Sequence, residues 1–326
     1  MSDPLLSIKD LHIEFQTSRS LVRALCGVSL EVQAGEVFGL VGETGCGKSI
    51  TGLSVLRLLP RSARITRGRI YFEGQDILQL SEVEMQSVRG RKVAAIFQDP
   101  STALNPVFTI GRQIEKVIRQ HLLLNASQAH QRALEVLAAV GLPDTERIHH
   151  SYPHQLSGGM QQRVVIALAL SCQPSLIIAD EPTTALDVTI QSQILTLLAD
   201  LQQRMGIAMI LITHNLGVVA DICDRLAVLY AGKVVETGTT RAIFESPQHP
   251  YTRGLMAAIP TSLARGQPLA AIPGAVPSNP GMMVGCVFAP RCAHSHVRCL
   301  QEKPPLYTVT DEHSSACFLN DREVKQ

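Results

Sequence analysis

Eight residues, Gly42 to Ser49 within "GLVGETGCGKSITGLSVL", have the types and spacing to hold a chain of phosphates. They fit G-x-x-x-x-G-K-S/T, and they lie after an apolar strand and before an amphipathic helix, the setting that motif requires. Glycines at 42, 45 and 47 let the backbone curl until the amides of Glu43, Thr44, Gly45, Cys46 and Gly47 turn inward on an anion. Lys48 supplies charge to the β- and γ-phosphates, and the Ser49 hydroxyl is placed for Mg²⁺. The apolar run "LIIADEP" ends in two carboxylates: Asp180 can hold Mg²⁺ through its water shell, and Glu181 can polarise an attacking water. His214 ends the strand "AMILIT", where it suits a hydrogen bond to a γ-phosphate, and Gln98, just after "VAAIF", has the same strand-end placement for sensing metal or water. A second anion site is written in "LSGGMQQR", where Ser157, Gly158 and Gly159 precede a helical run. One chain therefore carries two phosphate-binding signals more than a hundred residues apart.

The elements that must position these residues are legible in the apolar pattern. "LLSIKDLHIEF" and "VSLEVQAGEVFGLVGE" alternate apolar and polar residues and are rich in β-branched types, as half-buried strands are. From about Thr109 to Val140 the spacing becomes helical, and the later runs "SLIIAD" and "IAMILITH" return to apolar strands. The pattern is that of an α/β core interrupted by a helical insert. After about His249 sustained periodicity disappears, prolines become frequent, and four of the eight cysteines appear, which predicts an irregular C-terminal module.

Composition narrows the function classes. With 29 Lys and Arg against 28 acids, the net charge of +1 leaves no global electrostatic footprint for nucleic acid or an anionic membrane. The longest apolar run, Val164 to Leu170, is far short of the roughly 20 residues of a spanning helix, and "MSDPLLSIKD" has no secretory pattern. A cytosolic setting without disulfides is the expectation.

In order and spacing, Gly42 to Ser49, Gln98, "LSGGMQQR", "LIIADEP", "ALD" at 185 to 187 and His214 resemble the full motif set of an ATP-binding-cassette (ABC) ATPase, over about residues 5 to 245. "QDPSTALNP" at 98 to 106 and "SPQHPYTRGLMAAIP" at 246 to 260 further resemble the peptide and nickel importer branch, its dipeptide and oligopeptide members above all. The resemblance implies a RecA-like P-loop NTPase core with an antiparallel β subdomain and a helical subdomain at about 100–165, giving a nucleotide-binding domain over 1–249 and a C-terminal extension over 250–326. It also implies ATP and Mg²⁺ as cofactors, with Ser49, Gln98 and Asp180 on the metal and Glu181, Gln98 and His214 as the catalytic set. Ser157, Gly158 and Gly159 would meet the γ-phosphate held by an opposing subunit, which explains the second anion site, and Asp187 would couple the two ATP sites. Phe15 is the candidate to stack on adenine, a strand core position being its other role. Met160 stands where the family more often has glutamine, and Arg163 reads as a helix-surface salt bridge rather than a catalytic group. The implied partners are a second ABC ATPase subunit, commonly a paralogue, two membrane permease subunits and an extracytoplasmic solute-binding protein, with no nucleic acid, at the cytoplasmic face of the inner membrane. Peptide import, of dipeptides first, is the expected function. Oligopeptide or nickel import is the alternative, and a cassette acting on ribosomes or DNA, or a regulatory protein without turnover, is the rival class.

Cys286, Cys292, Cys299 and Cys317 are separated by five, six and seventeen residues. Four thiols in a region with little core read as a structural ligand set, without the close pairs that zinc sites favour. Some ATPases of the branch carry a C-terminal 4Fe–4S cluster, so iron–sulfur is the expectation, with Zn²⁺ and unliganded thiols as alternatives and His294 and His296 as surface residues. Cys26, Cys46, Cys172 and Cys223 read as ordinary small residues.

Overall fold

The alternating N-terminal residues form strands, as their pattern requires: β1 (Leu6–Gln16), β2 (Leu21–Val32), β3 (Val37–Val41), β4 (Ala63–Phe72) and β5 (Gln75–Asp76). The computed structural model describes residues 3–16, 20–184, 186–258, 271–277 and 279–321. The chain divides into two units, Met1–Leu78 with Leu211–Gln326, and 79–210.

In the first unit, an antiparallel sheet has the order β2-β1-β4-β5. Leu6, Ile8, Leu11 and Ile13 of β1 are buried, and the register shift between Ile8 and Leu11 keeps both pairs inward although they are three residues apart. β3 is different: all five of its residues are buried, as in a strand covered on both faces. α1 (Lys48–Val55) follows it after the glycine-rich loop.

The second unit is mostly helical: α2 (Glu82–Val88), β6 (Val93–Ile96), α3 (Pro100–Ala103), α4 (Ile110–His121), α5 (Ala126–Ala139), α6 (Thr145–His150), α7 (Gly158–Leu170), β7 (Leu176–Asp180) and α8 (Val188–Met205). β6 and β7 pair in parallel from Val93 opposite Leu176 to Ile96 opposite Ala179. In α4, Ile110, Ile114 and Ile118 recur every four residues and form one buried stripe, with Thr109 capping the first turn and Arg119 and His121 in the last. α5 starts with a reciprocal box between Asn125 and Gln128. α4 packs on α5, α6 and α7.

β8 (Ala208–Thr213) carries the chain back toward the first unit, where α9 (Leu216–Ile222), β9 (Arg225–Tyr230), β10 (Lys233–Thr239), α10 (Thr240–Glu245) and α11 (Pro250–Ala257) follow. The C-terminal region expected to be irregular contributes α12 (Val297–Gln301), β11 (Tyr307–Thr310) and β12 (His313–Ser315), and within the first unit the strand order is β11-β12-β10-β9-β3. β3 runs parallel to β9, whereas β12 is antiparallel to β10. A fully buried carboxylate locks this joint: Glu236 on β10 accepts from the Gln248 and His249 amides and lies 2.7 Å from His313 Nε2 on β12. Burial works to raise the Glu236 pKa, but the hydrogen bonds from His313 and the two amides outweigh it and hold the carboxyl below its ordinary value.

Candidate functional site

The first unit builds the phosphate loop between β3 and α1. Gly42 has φ of 148°, and an added Cβ would stand 2.2 Å from Leu229 O; at Gly47, φ is 111° and a Cβ would meet Leu25 Cδ2 at 2.5 Å. Only glycine fits either position, so the curl read from the motif is enforced by packing on β9 and β2. Gly47 caps α1 without a side-chain bond, which leaves the opening amides of the helix for an anion. Thr44, Gly45 and Ser49 are exposed, whereas Lys48 is buried and its Nζ donates to Gly42 O at 2.7 Å and Glu43 O at 3.1 Å. A buried ammonium held by two loop carbonyls and the Cys46 sulfur, inside a cradle that a Cβ would fill, fits a triphosphate. Cys46 is fully buried and burial pushes its thiol up, so its backbone, not its sulfur, serves the loop. His214 is exposed directly after β8. Phe15 is half-buried on β1, opposite Val22 on β2 and Ala63 on β4.

Two residues that grip the loop, Arg291 and Tyr251, were not among the site residues read from the sequence. Arg291, from the C-terminal region, forks onto Glu43 with Nη1 to Oε2 at 2.7 Å and Nη2 to Oε1 at 3.0 Å. Its Nε donates to Pro273 O, Nη2 also donates to Ile272 O, and Nη1 lies 3.3 Å from Tyr230 Oη. The Glu43 amide donates to Tyr251 Oη at 2.9 Å, and the rings of Tyr230, Tyr251 and Phe288 pack together with centroids 4.6 to 5.4 Å apart. Burial raises the pKa of both tyrosines, so their hydroxyls stay protonated.

The second unit holds the carboxylate set. Gln98, after β6, and Glu181, after β7, are 83 residues apart in sequence, yet Gln98 Nε2 donates to Glu181 Oε2 at 3.2 Å. Thr184 Oγ1 donates to the same oxygen at 2.8 Å. Glu181 has φ of 46°, a left-handed conformation that costs a non-glycine residue about 1–3 kcal/mol and turns the chain sharply after Asp180 ends the strand. Gln162 on α7, 1% exposed, donates to Pro182 O at 2.7 Å and so ties the helix after Ser157 to the turn that carries Glu181. It too was missed, because a glutamine within an apolar run reads as one face of a helix.

Ser157 caps α7, its Oγ accepting from the Met160 amide at 3.4 Å, and Ser157 and Gly158 are exposed. A Cβ on Gly159 would stand 3.0 Å from Ile190 Cγ2 on α8. The helix start is thus an accessible set of amides beside α8. Asp187 caps α8 by position and makes no side-chain capping bond; Ala185, of the same motif, lies outside the described residues. Arg163 makes no salt bridge with the described residues: Nη1 donates to Val140 O at 2.5 Å and satisfies a carbonyl at the end of α5.

The ABC transporter family profile matches residues 25–184, and that of the oligopeptide/dipeptide transporter C-terminal region matches 235–299. The dipeptide transport ATP-binding protein of Bacillus subtilis is 46% identical over 99% of this chain and 97% of its own length. The chain belongs to the ABC transporter ATP-binding proteins. The oligopeptide transport ATP-binding protein of Bacillus subtilis is also similar, at 48% identity over 95% of this chain and 87% of its own. A dimeric ATP-binding cassette solved in a post-hydrolysis state with ADP and phosphate superposes with a TM-score of 0.65 at 29% identity, covering 72% of this chain and 99% of that one. As a cassette ATPase, the protein uses ATP with Mg²⁺. Among its described residues no helix is long and apolar enough to cross a membrane.

The iron–sulfur expectation is corrected. Cys286, Cys292, Cys299 and Cys317 do border one cavity, but its volume is about 20 Å³, room for about one water and not for a cubane of four irons and four sulfides. Among the described residues, the only group of three or more His, Cys, Asp or Glu ligand atoms close enough to share one ion contains no cysteine, so the Zn²⁺ alternative does not fit either. Burial pushes the thiols of Cys286 and Cys292 up and that of Cys317 to about 11. The names of the relatives speak of peptide transport and ATP binding only.

Proposed function

We propose that this ABC ATPase is the motor subunit of a peptide importer, with dipeptides as its first cargo and oligopeptides as the alternative. The observation that carries the reading is end-to-end similarity to dipeptide and oligopeptide transport ATP-binding proteins, joined to the match of that group's C-terminal region at 235–299. Nickel, ribosomes and DNA draw no support from those names.

In this reading the amides of Gly42 to Ser49 and the Lys48 ammonium hold the phosphates, with Phe15 against the adenine. Ser49, Gln98 and Asp180 are the residues that would hold Mg²⁺, which would supply charge neutralisation. Glu181, held by Gln98 and Thr184, orients or deprotonates water, and His214 bonds the γ-phosphate. Catalysis then rests on positioning and charge, and little covalent chemistry is asked of the protein. Ser157, Gly158 and Gly159 serve the ATP of a second cassette, a paralogue, and Asp187 couples the two sites. Residues 1–249 form the nucleotide-binding domain and 250–326 the extension. Two permease subunits and an extracytoplasmic solute-binding protein complete the assembly, and the chain lies peripherally on the cytoplasmic face of the inner membrane. The exposed side chains of Phe97 and Val107, flanking "QDPSTALNP", fit a permease contact. Purification of the tagged chain from its host tests the assembly: two permeases and a second ATPase are expected with it, and recovery with ribosomes or DNA and no membrane subunit would contradict it.

A further inference from the structure

We infer that Glu115, His130 and His149 form a binding site for a borderline divalent cation of the zinc class, in the helical insert of the second unit. They come from α4, α5 and α6, and one ligand atom from each lies within 4.8 Å of the others. Glu115 Oε1 is 2.8 Å from His149 Nε2 and 3.2 Å from His130 Nδ1. A tetrahedral ion with bonds of about 2.0–2.1 Å places its ligand atoms about 3.3 Å apart, and both distances from Glu115 lie within about half an ångström of that spacing.

Packing sets this arrangement. His149 is 7% exposed, and its ring lies against α4 at Gly111, where an added Cβ would stand 2.1 Å from Nε2. Glu115 follows Gly111 by one helical turn, so the residue that opens the niche and the residue that faces into it share one side of α4. His149 Nδ1 is buried with no hydrogen-bond partner among the described residues, and the polar bonding of the ring is directed at Glu115. His130 has Glu146 Oε1 at 3.6 Å from its Nε2. That places a carboxylate outside His130, the position of the outer partner in a carboxylate–histidine–metal arrangement. The competing arrangement is a hydrogen bond from His130 Nδ1–H to Glu115.

Two imidazoles and one carboxylate suit zinc, cobalt, nickel or copper rather than magnesium, which prefers oxygen ligands. Three protein ligands leave a fourth position for water, and Glu115 also borders an open depression with Arg112, Lys116 and Arg119 through which water reaches it.

The test uses the full chain, stripped by chelator and titrated with Co²⁺, whose visible d–d bands report tetrahedral nitrogen and oxygen ligands and whose near-ultraviolet thiolate bands would report cysteine. One equivalent with d–d bands, no thiolate band, and displacement by Zn²⁺ are expected. Glu146→Gln should weaken binding about 10–100-fold. His130→Ala, a half-exposed position whose loss leaves the core intact, should abolish the bands with the circular dichroism unchanged. Absence of d–d bands at saturating Co²⁺, bands that persist in both His130→Ala and Glu115→Gln, or a thiolate band in their place would overturn the site.

Discussion

Arg291→Ala should weaken ATP binding although it alters no residue of the phosphate loop. The Arg291 side chain is 5% exposed and Glu43 29%, and the guanidinium makes both bonds of a fork to that carboxylate. Removing one partner of a fully buried pair costs about 3–5 kcal/mol; Glu43 can regain some water, so about 2 kcal/mol of first-unit stability is the expected loss. The nucleotide effect is separate. Without Arg291, Glu43 keeps an unopposed negative charge in a loop that must hold phosphates. Two unit charges about 8 Å apart at an effective dielectric of about 40 repel by about 1 kcal/mol, and a polyphosphate carries several. A Kd raised about 5–30-fold follows, equivalent to about 1–2 kcal/mol. The assay is fluorescent-nucleotide titration well below the melting temperature of the variant, beside a Glu43→Gln/Arg291→Met double variant that removes both charges. The double variant should return to within about threefold of the parent Kd. An unchanged ATP Kd in Arg291→Ala with a lowered Tm would make the fork structural only, and a double variant as weak as the single would refute the charge argument.

Lys48→Ala should lower ATP affinity by at least about tenfold, because it removes the one buried ammonium of the loop, whereas Glu181→Gln should bind ATP normally and lose about 100-fold or more in turnover; binding and hydrolysis assays on the same samples separate the two. Ser157→Ala should leave ATP binding by the isolated chain intact and slow turnover in the assembled complex, with about 1 kcal/mol lost from the α7 cap; equal turnover of both assemblies would count against a shared site. Burial holds His249 down to about 4, so between that value and the unfolded value of about 6.5 only the unfolded chain takes up the proton. Stability should therefore fall as pH drops through this window, by about 2 kcal/mol at pH 5, and the lowered Glu236 pKa adds to the fall at more acid pH. His249→Asn keeps the helix cap and should flatten the decline of Tm between pH 7 and 5; an unaltered decline would assign it to other groups.

What the sequence disclosed was local. Gly42 to Ser49 is contiguous, and every feature that makes it a phosphate cradle follows from residues within eight positions. Gln98 and Glu181 were found as strand ends, and the hydrogen bond between them could not be read, since nothing in either segment encodes the pairing of β6 with β7. The Arg291 fork spans 248 residues and leaves no periodic trace. β11 and β12 are short and follow a proline-rich stretch, so their alternation, visible in hindsight as half-buried and exposed residues at Tyr307 to Thr310, was too brief to outweigh their surroundings. The cysteines misled for a related reason. Density along the chain says that thiols are near one another, but whether their sulfurs converge around an ion-sized space depends on turns and packing that the spacing does not fix.

Peptide uptake coupled to Glu181 tests the central claim most directly. The complex isolated from its host with this chain is reconstituted in vesicles with the solute-binding protein and a labelled dipeptide. Accumulation that requires ATP on the side of this chain, and that falls at least about 100-fold in Glu181→Gln while the assembly stays intact, is the expected result. Dipeptide and oligopeptide uptake unaffected by that substitution, with the second ATPase also disabled, would contradict the reading of this chain as the motor.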